Sequence, residues 1–344
     1  LDRDGNIWTW GYNGSGQLGD GTTTNRTTPV KAATPAGVAF TAISAGGNHS
    51  MALDRDGNIW TWGYNGYRQL GDGTTTTNRT TPVRVAMPDG TAFTAISAGY
   101  RHSLALTGDG TAYAWGYNYY GQLGRTDVST GSSSATPGRV STPAGVAFTA
   151  ISAGDSHSLA LTGDGTAYAW GWNSNGQLGR TDVSTGSDAS SATPGRVSTP
   201  AGVAFTAISA GDSHSLALTG DGTAYAWGWN VFGQLGDGTT IQRTTPARVG
   251  TPDGAPSGFS YTAITAGQNT NHTLAIGSDG NTYAWGNNGN GQLGNNTTNT
   301  TSRPSGVWFP WPLTVSGVVF DGVPSLVVPV RNADGSWVVR PAAH

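Results

Sequence analysis

The chain repeats itself six times, and that constrains its fold more than any other feature. The string W-G-x-N-x-x-G-Q-L-G begins at Trp10, Trp115, Trp170, Trp227 and Trp285, and at Trp62 in a variant where Arg68 replaces the Gly before Gln-Leu-Gly. Successive starts lie 52, 53, 55, 57 and 58 residues apart. A second string, A-G-x-x-H-[ST], precedes five of the six copies and carries His49, His102, His157, His214 and His272, the last after a two-residue insertion between Gln268 and Asn271. Modules three and four are nearly identical from Gly124 to Trp172 against Gly179 to Trp229, which points to tandem duplication. A fixed period of this length means one supersecondary unit copied along the chain, each copy burying a face against its neighbours.

The unit reads as strands. In the fourth module Phe148 to Ala153, Ser158 to Leu161 and Thr166 to Trp170 are the first three, with the turn Thr162-Gly163-Asp164-Gly165 joining the last two. Asp-Gly between alternating runs is a strong hairpin signal. In the third strand Tyr168 and Trp170 fall on one face and Ala167 and Ala169 on the other, an alternation suited to sheets stacked on both sides. A short fourth strand near Gly195 to Val197 completes an antiparallel sheet. Composition agrees: 54 residues are Gly, all 20 acids are Asp, and Lys31 is the only lysine among 17 basic residues, so helix formers are scarce. One such sheet cannot cover both faces alone, and closing the copies into a ring covers the edges. The expected fold is all-β, a β-propeller of four-stranded antiparallel blades, with six blades or a truncated seven-bladed ring.

Several classes of function are set aside by what is missing. The net charge is −3 with no basic run, so no nucleic-acid partner is expected. No apolar run approaches the roughly 20 residues that span a bilayer, so no membrane insertion is expected. Absent cysteine removes thiolate catalysis, disulfides and thiolate metal sites, and suits export. The opening at Leu1, with no signal segment, reads as an excised piece of something longer.

At Ala153 to Gly179, with G-x-x-H-S, a hairpin ending in Y-x-W-G and then N-x-x-G-Q-L-G, the chain resembles the regulator of chromosome condensation repeat family. The resemblance covers about Leu1 to Pro304. It implies a propeller, most often of seven blades, so either blades are missing at the N-terminus or Leu313 to Val330 supplies the closing strands. Residues 1–306 are read as the propeller and 307–344 as a β-rich tail. Within the tail, Val315 to Val339 looks like the opening of an immunoglobulin-like module of bacterial surface proteins. That likeness implies an extracellular or bacterial cell-surface setting, with a monomeric propeller inside a larger multidomain protein.

The five histidines recur once per module, whereas a catalytic site is normally single. Residues adjacent on a strand point to opposite faces, so His157 and Ser158 cannot pair as base and nucleophile. The expectation is structural histidines that bond across the blade, alongside structural Trp62, Trp115, Trp170, Trp227 and Trp285. No catalytic residue, cofactor or metal is expected. The Asp-rich turns Asp2-Arg3-Asp4-Gly5-Asn6 and Asp54-Arg55-Asp56-Gly57-Asn58 imitate the start of a calcium loop but lack its Glu, and read as hairpin turns. The sequons Asn25-Arg26-Thr27 and Asn78-Arg79-Thr80 read as by-products of Thr-rich loops.

The informative variation follows the Trp-Gly pair. The next residue is Tyr12, Tyr64, Tyr117, Trp172, Trp229 and then Asn287, and the variable pairs beyond contribute Tyr67, Tyr119, Tyr120 and Phe232. Equivalent loops of successive blades meet on one face, so these residues form an arc of aromatics, a composition that suits binding. The competing reading packs Tyr12, Tyr64, Tyr117, Trp172 and Trp229 between blades as core. The expected function is a non-enzymatic extracellular binding or display module engaging a protein or glycan. The family resemblance adds two alternatives: guanine-nucleotide exchange on a small GTPase, and secreted inhibition of the β-lactamase-inhibitor propeller type.

Overall fold

The computed structural model describes residues 1–88, 90–267, 270–307, 328–331 and 337–340. Every regular element among them is a strand. In the fourth module Phe148–Ala153, His157–Thr162, Ala167–Trp172 and Ser190–Arg196 lie in that order in one antiparallel sheet. The expected strands are all present, and the outermost begins well before Gly195. Five complete sheets of this kind follow one another, and Trp8–Gly11 pairs with Arg26–Lys31 as the outer half of one more. The first strands of successive sheets are neighbours, so they line the axis of a propeller. Val328–Arg331 pairs antiparallel with Trp337–Arg340 in a two-stranded sheet. Most of the proposed closing strands and immunoglobulin-like segment lies outside the described residues.

The core sits between blades. Phe148, Tyr168 and Trp170 of the fourth blade pack on Leu104, Leu106 and Leu123 of the third, and Phe205, Tyr225 and Trp227 repeat this on Leu159, Leu161 and Leu178. The two faces of the third strand, large and small, serve two different cores.

The repeat's fixed letters are the parts of one interblade joint. Gly124 has φ +64°, and a Cβ there would meet the Trp170 indole nitrogen at 2.7 Å. The indole N–H donates to the Gln122 carbonyl at 2.9 Å, and Ser158 Oγ donates to the same oxygen at 2.8 Å. The same joint recurs with Trp62 on Gln17, Trp115 on Gln69, Trp227 on Gln177 and Trp285 on Gln234. A second bond ties the axial strands, as Ala210 N–H donates to Ser152 Oγ at 2.9 Å. Trp10 is the exception, 51% exposed where its five counterparts are at most 1% exposed, and at the other end Gly294 meets Val307 instead of an indole.

Candidate functional site: the aromatic loop face

Two loop sets share one face of the propeller: those between first and second strands, near the axis, and those between third and fourth, farther out. Backbone bonds tie them together, with the N–H of Tyr64, Tyr117, Trp172 and Trp229 donating to the carbonyls of Asn48, Arg101, Ser156 and Ser213 at 2.8 to 3.0 Å. The intervening Gly171, at φ +100°, leaves no room for a Cβ against Ser156 O at 2.6 Å. Each outer loop is then held from within. Asn118 is fully buried, accepts the Leu123 N–H at 3.0 Å and donates to Val128 O and Ser129 O. Gln122 Oε1 accepts the Tyr120 N–H at 2.9 Å, as Gln69 and Gln234 do for Tyr67 and Phe232. The variable residues therefore ride on a fixed frame, which suits display of side chains for recognition.

The predicted aromatics do come together. Ring centroids run Tyr64 to Tyr67 at 5.8 Å, Tyr67 to Tyr117 at 5.0 Å, Tyr117 to Tyr119 at 6.0 Å, Tyr119 to Tyr120 at 4.9 Å and Tyr120 to Trp172 at 5.0 Å. Trp229 and Phe232 form a separate pair at 5.4 Å. Neither of the two readings made from sequence fits fully. Tyr64, Tyr117, Trp172 and Trp229 are half-buried, so they are not interblade core, yet Tyr67 on Tyr117 and Tyr120 on Trp172 do bridge adjacent blades. Tyr119 is 53% exposed at the crest, and Tyr12 stands 62% exposed with Trp8 and Trp10 on the half blade.

Inside this arc lies a row of residues that the sequence reading missed. Arg101 is held over three tyrosine rings, 4.9 Å from the Tyr67 centroid, 5.1 Å from Tyr100 and 5.7 Å from Tyr117. One position earlier in the same loop, where the third blade has Tyr100, the next two blades place Asp155 and Asp212. Burial pushes the Asp155 carboxyl up to about 6, the Asp212 charge adds to this, and Arg101 opposes it. Burial raises Asp212 as well. The signal was present in the two variable positions of A-G-x-x-H-[ST], which read Gly-Asn, Tyr-Arg, Asp-Ser and Asp-Ser in the first four copies. It was masked by the adjacent His, the more conspicuous chemical group.

The side-chain bonds of the histidines run between blades, not across one as expected. His49 Nε2 meets Ser103 Oγ, His102 meets Ser158, and His157 meets Ser215, each at 2.9 Å, and His214 meets Thr273 Oγ1 at 3.2 Å. The hydroxyls after His102, His157, His214 and His272 thus receive the imidazole of the preceding blade. Burial depresses the first four to about 3 and lowers His272. A Cβ on Gly154 would meet the His157 ring at 2.6 Å, which accounts for the Gly of the motif.

The calcium-like turns close on themselves: Asp54 Oδ1 accepts the N–H of Asp56 and Asn58, and Oδ2 accepts the Trp60 indole N–H at 2.9 Å. Among the described residues no group of three His, Cys, Asp or Glu is placed to hold a metal, and no helix is long and apolar enough to cross a membrane. In the sequons, Asn25 Oδ1 and Asn78 Oδ1 accept the N–H of Asn13 and Asn65 at 2.8 and 2.9 Å, so both amides are engaged in the loop frame.

Comparison with known proteins agrees with this architecture. The chain is 32% identical over 291 residues to the ultraviolet-B receptor UVR8 of Arabidopsis thaliana, matching 84% of this chain and 62% of the receptor. It is also 32% identical over 299 residues to the mitochondrial RCC1 domain-containing protein RUG3 of the same plant, matching 86% and 64%. It therefore spans less than two thirds of either relative. The solved structure of Prp20p from Saccharomyces cerevisiae superposes with a TM-score of 0.76 at 26% identity, covering 90% of this chain and 74% of that one. These eukaryotic relatives lend no support to the bacterial-surface setting or to an immunoglobulin-like tail. The model of the RCC1-like domain matches residues 1–319, past the boundary expected at 306, and the chain belongs to that family.

Proposed function

We propose that this propeller is a non-enzymatic binding module whose loop face docks a protein. The observation that carries the reading is the unbroken run of ring contacts from Tyr64 to Trp172, with Arg101 laid on its inner side. Tyr, Trp and Arg are the residues that dominate protein-binding hot spots, because each brings large contact area at small entropic cost. The absence of catalysis is part of the proposal: the imidazoles of His49, His102, His157 and His214 are buried in interblade joints and held neutral.

The test is capture of proteins by the immobilised chain and by a Tyr67→Ser, Tyr119→Ser, Tyr120→Ser, Phe232→Ser variant matched to it in melting temperature. A protein kept by the parent alone supports the reading, and identical capture by both removes it. A parallel glycan array separates sugar recognition from protein recognition.

A second reading draws on the likeness to Prp20p, whose structure was described together with its binding to Gsp1p and histones. On that reading the face works on a small GTPase. Nucleotide release from the GTPase Ran, accelerated by this chain, is the result that would favour it.

A further inference from the structure

The aromatic arc has a break, and the break coincides with the two carboxylates. From Tyr64 the rings follow one another to Trp172, and they resume at Trp229 and Phe232. Between these stretches the fourth blade places Ser174 and Asn175 where the third has Tyr119 and Tyr120. On the same two blades, toward the axis, lie Asp155 and Asp212. They are close neighbours, since the Asp155 N–H donates to Gly211 O at 3.2 Å. Tyr120 stacks on one face of Trp172 at 5.0 Å, and the indole is pinned by its N–H on Ser187 O at 3.0 Å.

Among the described residues no ion pair neutralises the two carboxylates, and only the more distant charge of Arg101 acts on Asp155. Each carboxylate accepts a bond from the Ser that follows it, at 3.4 Å for Ser156 and 3.1 Å for Ser213, and neither takes part in an ion pair. Arg101 lies on Tyr67, Tyr100 and Tyr117 instead of bridging to them. Half-buried carboxylates without a counter-charge are costly, and an incoming cation removes that cost. Indoles flanking such a position are the best aromatic partners for a cation. A neutral sugar stacked on the arc would leave both carboxylates uncompensated.

Resting on the binding-face reading, we propose that the protein partner lowers a basic side chain, Arg or Lys, into the break between Trp172 and Trp229, where Asp155 and Asp212 receive it. The aromatic arc supplies contact area on one side and the acid pair selects the residue that enters. Duplication of the Ala-Gly-Asp-Ser-His-Ser loop, at 153–158 and 210–215, is what set two carboxylates side by side.

The probe is a random linear peptide library displayed on phage and selected on the full chain. Selected peptides are then measured on the parent, on a Tyr120→Ser, Phe232→Ser variant and on an Asp155→Asn, Asp212→Asn variant. Arc-dependent peptides should carry Arg or Lys and bind the Asn variant at least about ten-fold more weakly, the scale of a charged contact at an interface centre. Replacing that Arg or Lys by Gln in the peptide should cause a similar loss on the parent and no further loss on the Asn variant. The peptide substitution gives the same answer if the Asn variant fails to fold. Arc-dependent peptides without a basic residue, or with one that Gln replaces freely, would overturn the acid-pair assignment and leave the binding face standing. No arc-dependent peptide at all would overturn both.

Discussion

The imidazole of His157 leaves its own blade and meets the hydroxyl of Ser215 on the next, 2.9 Å away. Ser215 has one proton and gives it to the Gln177 carbonyl at 2.8 Å, so His157 Nε2 must be the donor in the pair. Nδ1 is then an unprotonated acceptor, buried without a partner among the described residues, and the ring is the neutral Nε2–H tautomer. Removing Ser215 strands the imidazole N–H, whereas removing His157 leaves the hydroxyl still donating to Gln177. His157→Ala should cost about 2 to 4 kcal/mol through the cavity, and Ser215→Ala about 1 to 3 kcal/mol through an unmet N–H. The double variant should lose clearly less than the sum, because the stranded group goes with its partner. Urea unfolding of the four proteins measures this, and strict additivity would contradict the joint.

The same burial makes the propeller acid-sensitive in a defined window. His49, His102, His157 and His214 titrate near 6.5 when unfolded and near 3 when folded. Because the unfolded chain binds their protons first, the stability they contribute is complete above pH 6.5 and drains as pH falls toward 3. Asp155 works in the opposite direction: its carboxyl, raised to about 6, favours the folded state as pH falls from 6 toward the ordinary 3.8. With His272 lowered as well and Asp212 raised as well, five imidazoles against two carboxyls leave a net loss. Melting temperature followed from pH 7 to pH 4, over the window those values set, should fall, and His157→Gln should fall less steeply while starting lower. A parallel fall in both proteins would count against burial holding His157 neutral down to pH 4.

A charge reversal between modules yields a paired prediction. After Gln-Leu-Gly the second and fifth blades place a buried Asp, Asp72 or Asp237, paired at 2.7 Å with a more exposed Arg79 or Arg243. The third and fourth place a buried Arg there, Arg125 or Arg180, paired with the exposed Asp127 or Asp182. Burial, not sign, should decide the cost. Arg125 also donates to the carbonyls of Ala114 and Thr136, so Arg125→Ala should lose about 2 to 3 kcal/mol, against less than about 1 kcal/mol for Asp127→Asn, whose side chain is 65% exposed. In the second blade the order inverts: Asp72→Asn, with a 4% exposed side chain, should cost more than Arg79→Ala. Chemical denaturation of these four variants checks the inversion.

Most of the scaffold is legible in the amino-acid sequence, because each fixed letter of the repeat answers a local steric or bonding demand. Gly154 sits under an imidazole, Gly124 under an indole, and the Asp-Gly turns follow ordinary hairpin chemistry. The destination of the histidine bonds was not legible, since Ser103 and His49 belong to different repeats 54 residues apart and only the ring geometry joins them. The aromatic arc was legible as a set, and its contacts were not. Whether Tyr120 meets Trp172 or turns to solvent depends on the distance between blades, which no single repeat encodes. Arg101, Asp155 and Asp212 were missed for a related reason, as each looks like an ordinary loop residue until the ring places it beside the arc.

Arg68 tests how far the repeat tolerates a departure from its own rule. It has φ +65° where sister modules have Gly at φ +74° to +81°, and Gly16, Gly121, Gly176 and Gly233 lie against the next blade's outer strand, as a Cβ on Gly121 would sit 2.6 Å from Ala192 Cα. A left-handed non-Gly residue costs roughly 1 to 2 kcal/mol. The guanidinium offsets this by reaching across the joint to Ser133 O at 2.8 Å, a charged bond of about 1.5 to 3 kcal/mol. Arg68→Ala keeps the strain and loses the bond, so it should lower stability by about 2 kcal/mol. Arg68→Gly loses the bond and the strain together and should stay within about 1 kcal/mol of the parent. Melting curves for the two variants decide the matter: if Ala and Gly are equally damaging, the strain is not what the guanidinium offsets, and the bond to Ser133 alone holds this corner of the second blade.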